Sequence, residues 1–386
     1  MTNFDLSQEF ITRVELPGTS AAFPDIRYSS ESDTSAGLYS RTGWFPTTVA
    51  AAPKNIYVLF VGTAEAIEKH RPAIADVRAR GNDILVFEFA GQGASGRFLS
   101  DPRKVHAMPD GFDMWTNSLR EFLRSKLFRA VRQRGYDHDA GVVALPYSLG
   151  GRMFARLMQE APAFSRRFTR IVYVNPVVAM NSAGSMMMRL VQQMSAWLSV
   201  SKPGKSEDFV PGHGRFHPGD RPLEKSSIGS DRERHEWICR FYHENEHLAM
   251  WGMTYGWFHE ANRSLTKMWD IIIDGEAKNP IFAFWSKARD KDIPRKNETR
   301  VPTLVISSHN DTIVIAHYVQ RFAKYIGADI LHLPRAKHEP SQEPPPIRES
   351  TFDAVAAWVA DPADPQLPAT SDIRLSKNKR SSVAGQ

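Results

Sequence analysis

Short apolar runs, rich in β-branched side chains, recur at six places along the chain. They are NIYVLFV (55–61), DILVFEF (83–89), GVVALPY (141–147), RIVYVNP (170–176), VPTLVIS (301–307) and ADILHLP (328–334). Each run is too short for a helix and too continuous for a strand with one exposed face. The pattern therefore predicts strands that are buried on both faces of a sheet.

Helical patterns lie between several of these runs. EKHRPAIADVRARG ends at Gly81, MWTNSLREFLRSKLFRAVRQRG ends at Gly135, and a third pattern runs from Ser148 to about Glu160. Strands that alternate with helices predict an α/β fold with a mostly parallel central sheet flanked by helices.

The alternation breaks over residues 177–300, which are rich in Met, Trp and His. We predict a core formed by residues 1–176 and 301–360, with residues 177–300 inserted as a helical cap over one edge of the sheet. Residues 361–386 carry Pro, Asp and Ser with little apolar content, which predicts a disordered tail.

Composition narrows the class of protein. The chain has 386 residues, 42% hydrophobic and 24% charged, which is typical of a globular enzyme. The single cysteine, Cys239, gives no sign of an oxidising compartment, and we see neither a signal peptide nor an apolar run of about 18 residues. We therefore expect a cytoplasmic protein.

Charge bears on the partners of the protein. The net charge of +6 and the basic C-terminal residues suit weak peripheral contact with anionic lipid at the inner face of the membrane. Nucleic-acid binding is not predicted, because the chain lacks a basic run interleaved with aromatic residues.

The stretch VVALPYSLGGRMFARLMQE has the context of a nucleophilic serine. A predicted strand runs into Ser148, two glycines follow, and a helix begins. Such a strand–turn–helix exposes the serine hydroxyl above the sheet edge, with the positive end of the helix beneath a developing anion. The other interpretation is a serine that only caps a crossover helix.

Two further residues stand where such a serine needs partners. Asp311 follows the strand at 301–307, and His338 follows the strand at 328–334. The order Ser, Asp, His and the positions after late strands are those of a hydrolase triad. The loop after the strand at 55–61 contains Gly62, so the N–H groups of Thr63 and Leu149 are the predicted oxyanion hole.

Several segments resemble a known family. GTAEAIEKH, GQGASGR, YSLGGR, SHNDTIV and AKHEPSQE are similar to blocks of bacterial lysophospholipases and monoacylglycerol lipases, which are α/β-hydrolases. The resemblance covers roughly residues 40–358 and includes cap-like segments SDRERHEW and MTYGWFHEANRS. It implies the same triad and oxyanion donors. The chain departs from the family at Pro146 and Tyr147, which replace the usual Gly-His before the serine.

Two motifs suggest other chemistry. Gly91, Gly93 and Gly96 match the G-x-G-x-x-G dinucleotide fingerprint, but Pro102 interrupts the helix that the fingerprint needs, so we expect a loop. His243-Glu-Asn-Glu-His247 matches the H-E-x-x-H zinc motif, but no third ligand follows at a known spacing, so we predict no metal site from it.

One stripe of residues bears on the substrate. Leu190 and Met194 lie on an apolar helical face with Met187, Val191, Trp197 and Leu198. Such a stripe is usually core, but soft methionines also suit an acyl-chain channel. Tyr147, Leu190 and Met194 are the predicted substrate-binding residues.

The function that we predict is hydrolysis of the carboxylic ester of a small lipid-like monoacyl substrate, with no cofactor and no metal. A general carboxylesterase or acyltransferase of the same fold remains open. So do a zinc peptidase that uses His243 and His247, and a hydrolase-fold binding protein without catalysis.

Overall fold

A computed structural model describes residues 10–15, 39–97, 99, 101, 103–107, 111–179, 194, 197, 205–273 and 301–378. In this part of the chain nine strands form one sheet, in the order β1-β2-β4-β3-β5-β6-β7-β8-β9. The strands from β4 to β8 in that order are parallel, and β1, β2 and β9 are antiparallel to their neighbours.

All six predicted strands are present. The strand bounds are β1 Phe10–Glu15, β2 Tyr39–Phe45, β3 Asn55–Phe60, β4 Asp83–Glu88, β5 Gly141–Pro146, β6 Arg170–Val174, β7 Thr303–Ser308, β8 Asp329–Leu333 and β9 Arg374–Ser376. Every position of β4, β7 and β8 is buried, as expected for strands covered on both faces. The predicted α/β fold is confirmed.

Helices lie between the strands and cover the sheet. Those of the predicted core are α1 Arg71–Ala79, α2 Gly111–Arg124, α3 Lys126–Asp137, α4 Ser148–Glu160, α7 Ala316–Tyr325 and α8 Pro345–Ala360. Within the predicted cap lie α5 Arg232–Glu244 and α6 Tyr255–Ile273. No helix in the described ranges is both long enough and apolar enough to cross a membrane.

Two predictions about elements are wrong in detail. The helical pattern at 114–135 forms two helices, because Ser125 leaves the helical conformation and its Oγ accepts from the Phe128 N–H at 3.1 Å as a new N-cap. Within the tail predicted to be disordered, residues 361–378 are ordered. Its strand β9 extends the sheet beside β8, and Asp372 and Ile373 are buried.

The order of the strands positions a crevice. The next strand along the chain, β4, pairs with one edge of β3, whereas β5 pairs with the other edge of β3. In parallel α/β sheets, ligands bind beyond the carboxyl ends of strands at such a reversal. The loop after β3 and the turn after β5, which contain Thr63 and Ser148, meet at this point.

Candidate active site

The turn at Ser148 is sharp and strained. Ser148, the first residue of α4 and two positions after the end of β5, has φ of 48°, a left-handed conformation that is rare outside glycine. Gly150 lets α4 lie against β3, since a Cβ there would be 2.3 Å from the Phe60 carbonyl oxygen. Sequence and packing together hold the Ser148 hydroxyl at the carboxyl end of the sheet.

His338 links the other two predicted triad residues. Its Nε2 lies 2.8 Å from Ser148 Oγ, and its Nδ1 lies 2.6 Å from Asp311 Oδ2. The other carboxylate oxygen of Asp311 accepts from the N–H groups of Ile313 and Val314 at 2.7 and 2.9 Å. The structure thus brings together three residues that lie up to 190 positions apart in the chain.

The environment of His338 favours its protonated form. Burial of the imidazole lowers its pKa, but the Asp311 carboxylate, with Glu339 and Glu65 further away, outweighs burial, so the pKa of His338 stands above its ordinary value. The imidazole can therefore hold a proton taken from Ser148, because the carboxylate stabilises the imidazolium.

The loop that carries Thr63 is held on both sides of that residue. The Gly62 N–H donates to Glu65 Oε2 at 2.5 Å, and the Ala64 N–H donates to Gln92 Oε1 at 2.5 Å. Gly62 also lies close to the serine, because a Cβ on it would be 3.1 Å from Ser148 Cβ. The loop that carries Thr63 therefore approaches Ser148, and the role of the Thr63 and Leu149 N–H groups as oxyanion donors stays a prediction.

Buried charges connect this loop with the loop after β8 that carries His338 and Glu339, here called the histidine loop. Lys69 Nζ donates to Glu65 at 2.5 Å and to Glu339 at 2.6 Å, and His70 Nε2 lies 2.9 Å from Glu65. Burial raises the pKa of Glu65, but the positive charges of Lys69 and His70 have the larger effect, so this pKa lies well below its ordinary value. For Glu339 burial has the larger effect, and its pKa lies above its ordinary value. One oxygen of Glu339 has no hydrogen-bond partner in the described part of the chain.

Sequence reasoning missed Asn175. It follows β6 with φ of 42°, its Nδ2 donates to the His338 carbonyl oxygen at 2.6 Å, and its Oδ1 accepts from the Ser308 N–H at 2.8 Å. Asn175 thereby joins the histidine loop to the end of β7, from which Asp311 projects. An asparagine at a strand end before Pro176 was the available signal, because asparagine tolerates left-handed φ.

The predicted substrate residues have different surroundings. Tyr147 is buried, lines a small, mostly apolar cavity between the sheet and α8, and has its ring edge-on to His70. Burial raises the pKa of its phenol. Met194 is 37% exposed, and Leu190 lies outside the described residues. Their binding of substrate stays a prediction.

The G-x-G-x-x-G and H-E-x-x-H motifs do not adopt the local structures that dinucleotide and zinc sites of these types need. Glu88 organises the glycine segment by accepting from the N–H groups of Ala94 and Ser95, and residues 91–97 form turns and contain no helix. Helix α5 ends at Glu244, because Asn245 has φ of −130° and ψ of 55°, so His243 and His247 do not stand one turn apart on one helix. The geometry of the H-E-x-x-H zinc motif is therefore not met.

Comparison with known proteins gives a family and a fold. A family model described as Hydrolase_4: Serine aminopeptidase, S33 matches residues 51–345. Lysophospholipase L2 from Escherichia coli strain K12 is 23% identical over 207 residues, 54% of this chain and 56% of that protein, so the chain spans little more than half of that relative. Probable lysophospholipase L2 from Haemophilus influenzae is 21% identical over 276 residues, 71% of this chain and 80% of that protein.

Solved structures share the fold. A soluble variant of monoglyceride lipase from Saccharomyces cerevisiae, in complex with a substrate analog, has a TM-score of 0.60 at 14% identity, with 90% of this chain and 96% of that chain covered. Monoacylglycerol lipase from Paleococcus ferrophilus has a TM-score of 0.52 at 15% identity, with 84% and 98% covered. At these identities the likeness establishes the architecture alone.

The position of Asn175 gives a first testable prediction. Asn175→Gly keeps a residue suited to positive φ but removes the three side-chain hydrogen bonds to His338 and Ser308, so His338 and Asp311 lose their common support. We expect kcat for a p-nitrophenyl ester to fall by roughly 10- to 100-fold, because displacement of catalytic groups by about 1 Å is that costly. Asp139→Gly, at another non-glycine residue with positive φ (51°), is the control and should leave kcat unchanged. Equal kcat in both variants would contradict a positioning role for Asn175.

The charge of Glu339 gives a second prediction. Hydrolysis requires neutral His338, so the rate rises with pH through the pKa of His338. Glu339→Gln removes a negative charge that raises this pKa, and the acid limb of the kcat/KM profile should move to lower pH. Glu343→Gln is the control, since Glu343 is buried on the same loop but accepts from Lys337 N–H. An unchanged acid limb in Glu339→Gln, or the same shift in both variants, would refute the electrostatic account.

Proposed function

Because the chain belongs to the Hydrolase_4 (serine aminopeptidase, S33) family of α/β-hydrolases, we propose that it is a serine hydrolase that cleaves carboxylic esters of monoacyl lipids. The observation that carries the proposal is the continuous hydrogen-bond path from Ser148 through His338 to Asp311. The lysophospholipase L2 relatives support the choice of a lipid ester.

The geometry suits formation and hydrolysis of an acyl-enzyme. His338 Nε2 takes the proton from Ser148 as Oγ bonds to the ester carbonyl carbon, and the Thr63 and Leu149 N–H groups receive the oxyanion. The bond to the alcohol oxygen breaks, and the imidazolium gives that oxygen its proton. Water then attacks the acyl carbon and gives a proton to His338, which returns it to Ser148 as the fatty acid leaves. These steps use only groups of this chain and water.

We propose that residues 177–300 form a cap, because their described part packs on the site. Apolar residues of α5 cluster with Ala66, which lies in the loop after β3 that carries Thr63 and is here called the oxyanion loop. These α5 residues are Ile238, Phe241 and Tyr242. The ring of His106 lies 2.8 Å from Thr254 Oγ1, just before α6, and α6 also packs against α2 and α4. These contacts support a cap on the side of the sheet where Ser148 lies.

Labelling tests the proposed nucleophile and base. A fluorophosphonate probe should modify the protein at Ser148, and modification should vanish in Ser148→Ala. Ser148→Ala and His338→Ala should each lower kcat by roughly 10⁴- to 10⁶-fold, with the double variant little worse, because triad members act as a unit. His332→Ala is the control, since His332 contacts His309 and Ser376 instead of the serine.

The same assay distinguishes the open classes. If the probe does not label the protein and the protein hydrolyses no ester, a binding protein is favoured. Cleavage of aminoacyl p-nitroanilides with no cleavage of lipid esters would favour a peptidase and contradict the proposal.

Chain length tests the lipid part of the proposal. If the stripe that contains Met194 receives an acyl chain, kcat/KM should rise by orders of magnitude from a four-carbon to a twelve-carbon ester, since each buried CH₂ contributes about 0.8 kcal/mol. Met194→Glu should flatten this rise and spare acetate hydrolysis, with Tm nearly unchanged because Met194 is partly exposed. Tyr136→Glu, at an exposed site on α3, is the control. Equal loss for acetate and laurate esters would rule out the acyl channel.

A further inference from the structure

Three potential metal ligands meet on the surface of the predicted cap. His217 precedes the short turn Pro218–Asp220, Asp220 ends it, and His243 lies in the last turn of α5. One donor atom from each side chain lies within 4.8 Å of the other two. This cluster differs from the H-E-x-x-H motif, because His243 takes part and His247 does not.

Close packing of the turn on the helix creates the cluster. A Cβ on Gly219 would lie 2.8 Å from the Cys239 carbonyl oxygen and 2.9 Å from the His243 ring, so only glycine permits this approach. The rings of His217 and His243 are stacked with their centroids 4.5 Å apart. The two histidines therefore lie side by side although 26 positions separate them, and a rotation of one ring lets both imidazoles reach one ion.

The distance between two of the ligand atoms suits a tetrahedral ion. His243 Nε2 lies 3.3 Å from Asp220 Oδ1. Two ligands with bonds of about 2.0–2.2 Å to a tetrahedral Zn²⁺ are separated by roughly that distance. The side chains of His243 and Asp220 are 52% and 59% exposed, which leaves room for a water molecule as the fourth ligand.

A second observation points to a ligand. His217 Nδ1 accepts from the Gly219 N–H at 3.1 Å, while Nε2 is buried and has no hydrogen-bond partner among the described residues. A buried imidazole nitrogen without a partner is uncommon. A neutral imidazole has one lone pair, so ligation by His217 exchanges the Gly219 hydrogen bond for a bond to the metal.

We propose that His217, Asp220 and His243 bind a single Zn²⁺ ion that fixes the 217–220 turn to the end of α5. Two imidazoles and one carboxylate select a first-row transition ion over Mg²⁺ or Ca²⁺, which prefer oxygen ligands. Helix α5 packs on Ala66 of the oxyanion loop, so the ion stabilises a segment next to the active site. It takes no part in the ester chemistry, and the proposal does not depend on the proposed function.

Metal titration of the full chain, without a histidine tag and after removal of metal by chelation, tests the site. We expect one equivalent of Zn²⁺ to bind and to raise Tm, and Co²⁺ to give the visible absorption of a tetrahedral nitrogen–oxygen site. His217→Ala, His243→Ala and Asp220→Asn should each weaken binding by at least about 100-fold, since even loss of an outer partner costs 10- to 100-fold.

His247→Ala is the matched control, because it removes the other histidine of the H-E-x-x-H motif and should leave affinity and Tm shift unchanged. Metal-free Tm values check that each variant is folded. If no equivalent binds, if binding survives in His217→Ala and His243→Ala, or if His247→Ala abolishes it, the proposal is wrong.

Discussion

The backbone at Ser148 is the constraint on which the site depends. A left-handed conformation at a residue with a side chain costs about 1–2 kcal/mol, and here φ is 48°. The surrounding packing maintains it: β5 is paired between β3 and β6, and α4 approaches β3 so closely that position 150 has no space for a Cβ. The turn ends the strand abruptly and brings the hydroxyl to His338 Nε2 at the carboxyl end of the sheet.

Around this turn, the other groups are held by polar contacts that link loops. Asn175 joins the ends of β6 and β7 to the loop that carries His338, and Lys69 joins Glu65 of the loop after β3 to Glu339. A buried ion pair adds little net stability, but removal of one partner leaves an uncompensated charge. We therefore regard these contacts as fixing the relative positions of loops, and the charges of Glu65 and Glu339 as adjusting the basicity of His338.

The sequence predicted the parts of this account that depend on local pattern. Six buried strands were recognisable because parallel strands carry continuous apolar runs, and Ser148, Asp311 and His338 were recognisable because each follows a strand. The break at Ser125 and the strand β9 were not, since capping and edge pairing depend on tertiary contacts. Asn175, Lys69 and Glu339 were also missed, because their role depends on contacts between residues up to 270 positions apart.

The most direct test of Ser148 as the nucleophile is to trap the covalent acyl-enzyme. The protein is mixed with a laurate ester, quenched with acid within milliseconds and analysed by peptide mass spectrometry. If Ser148 is the nucleophile, a lauroyl group appears on the peptide that contains Ser148, is formed in a burst and is absent in Ser148→Ala. Rapid hydrolysis of the ester with no acyl group on that peptide, or with the group on another residue, would contradict it.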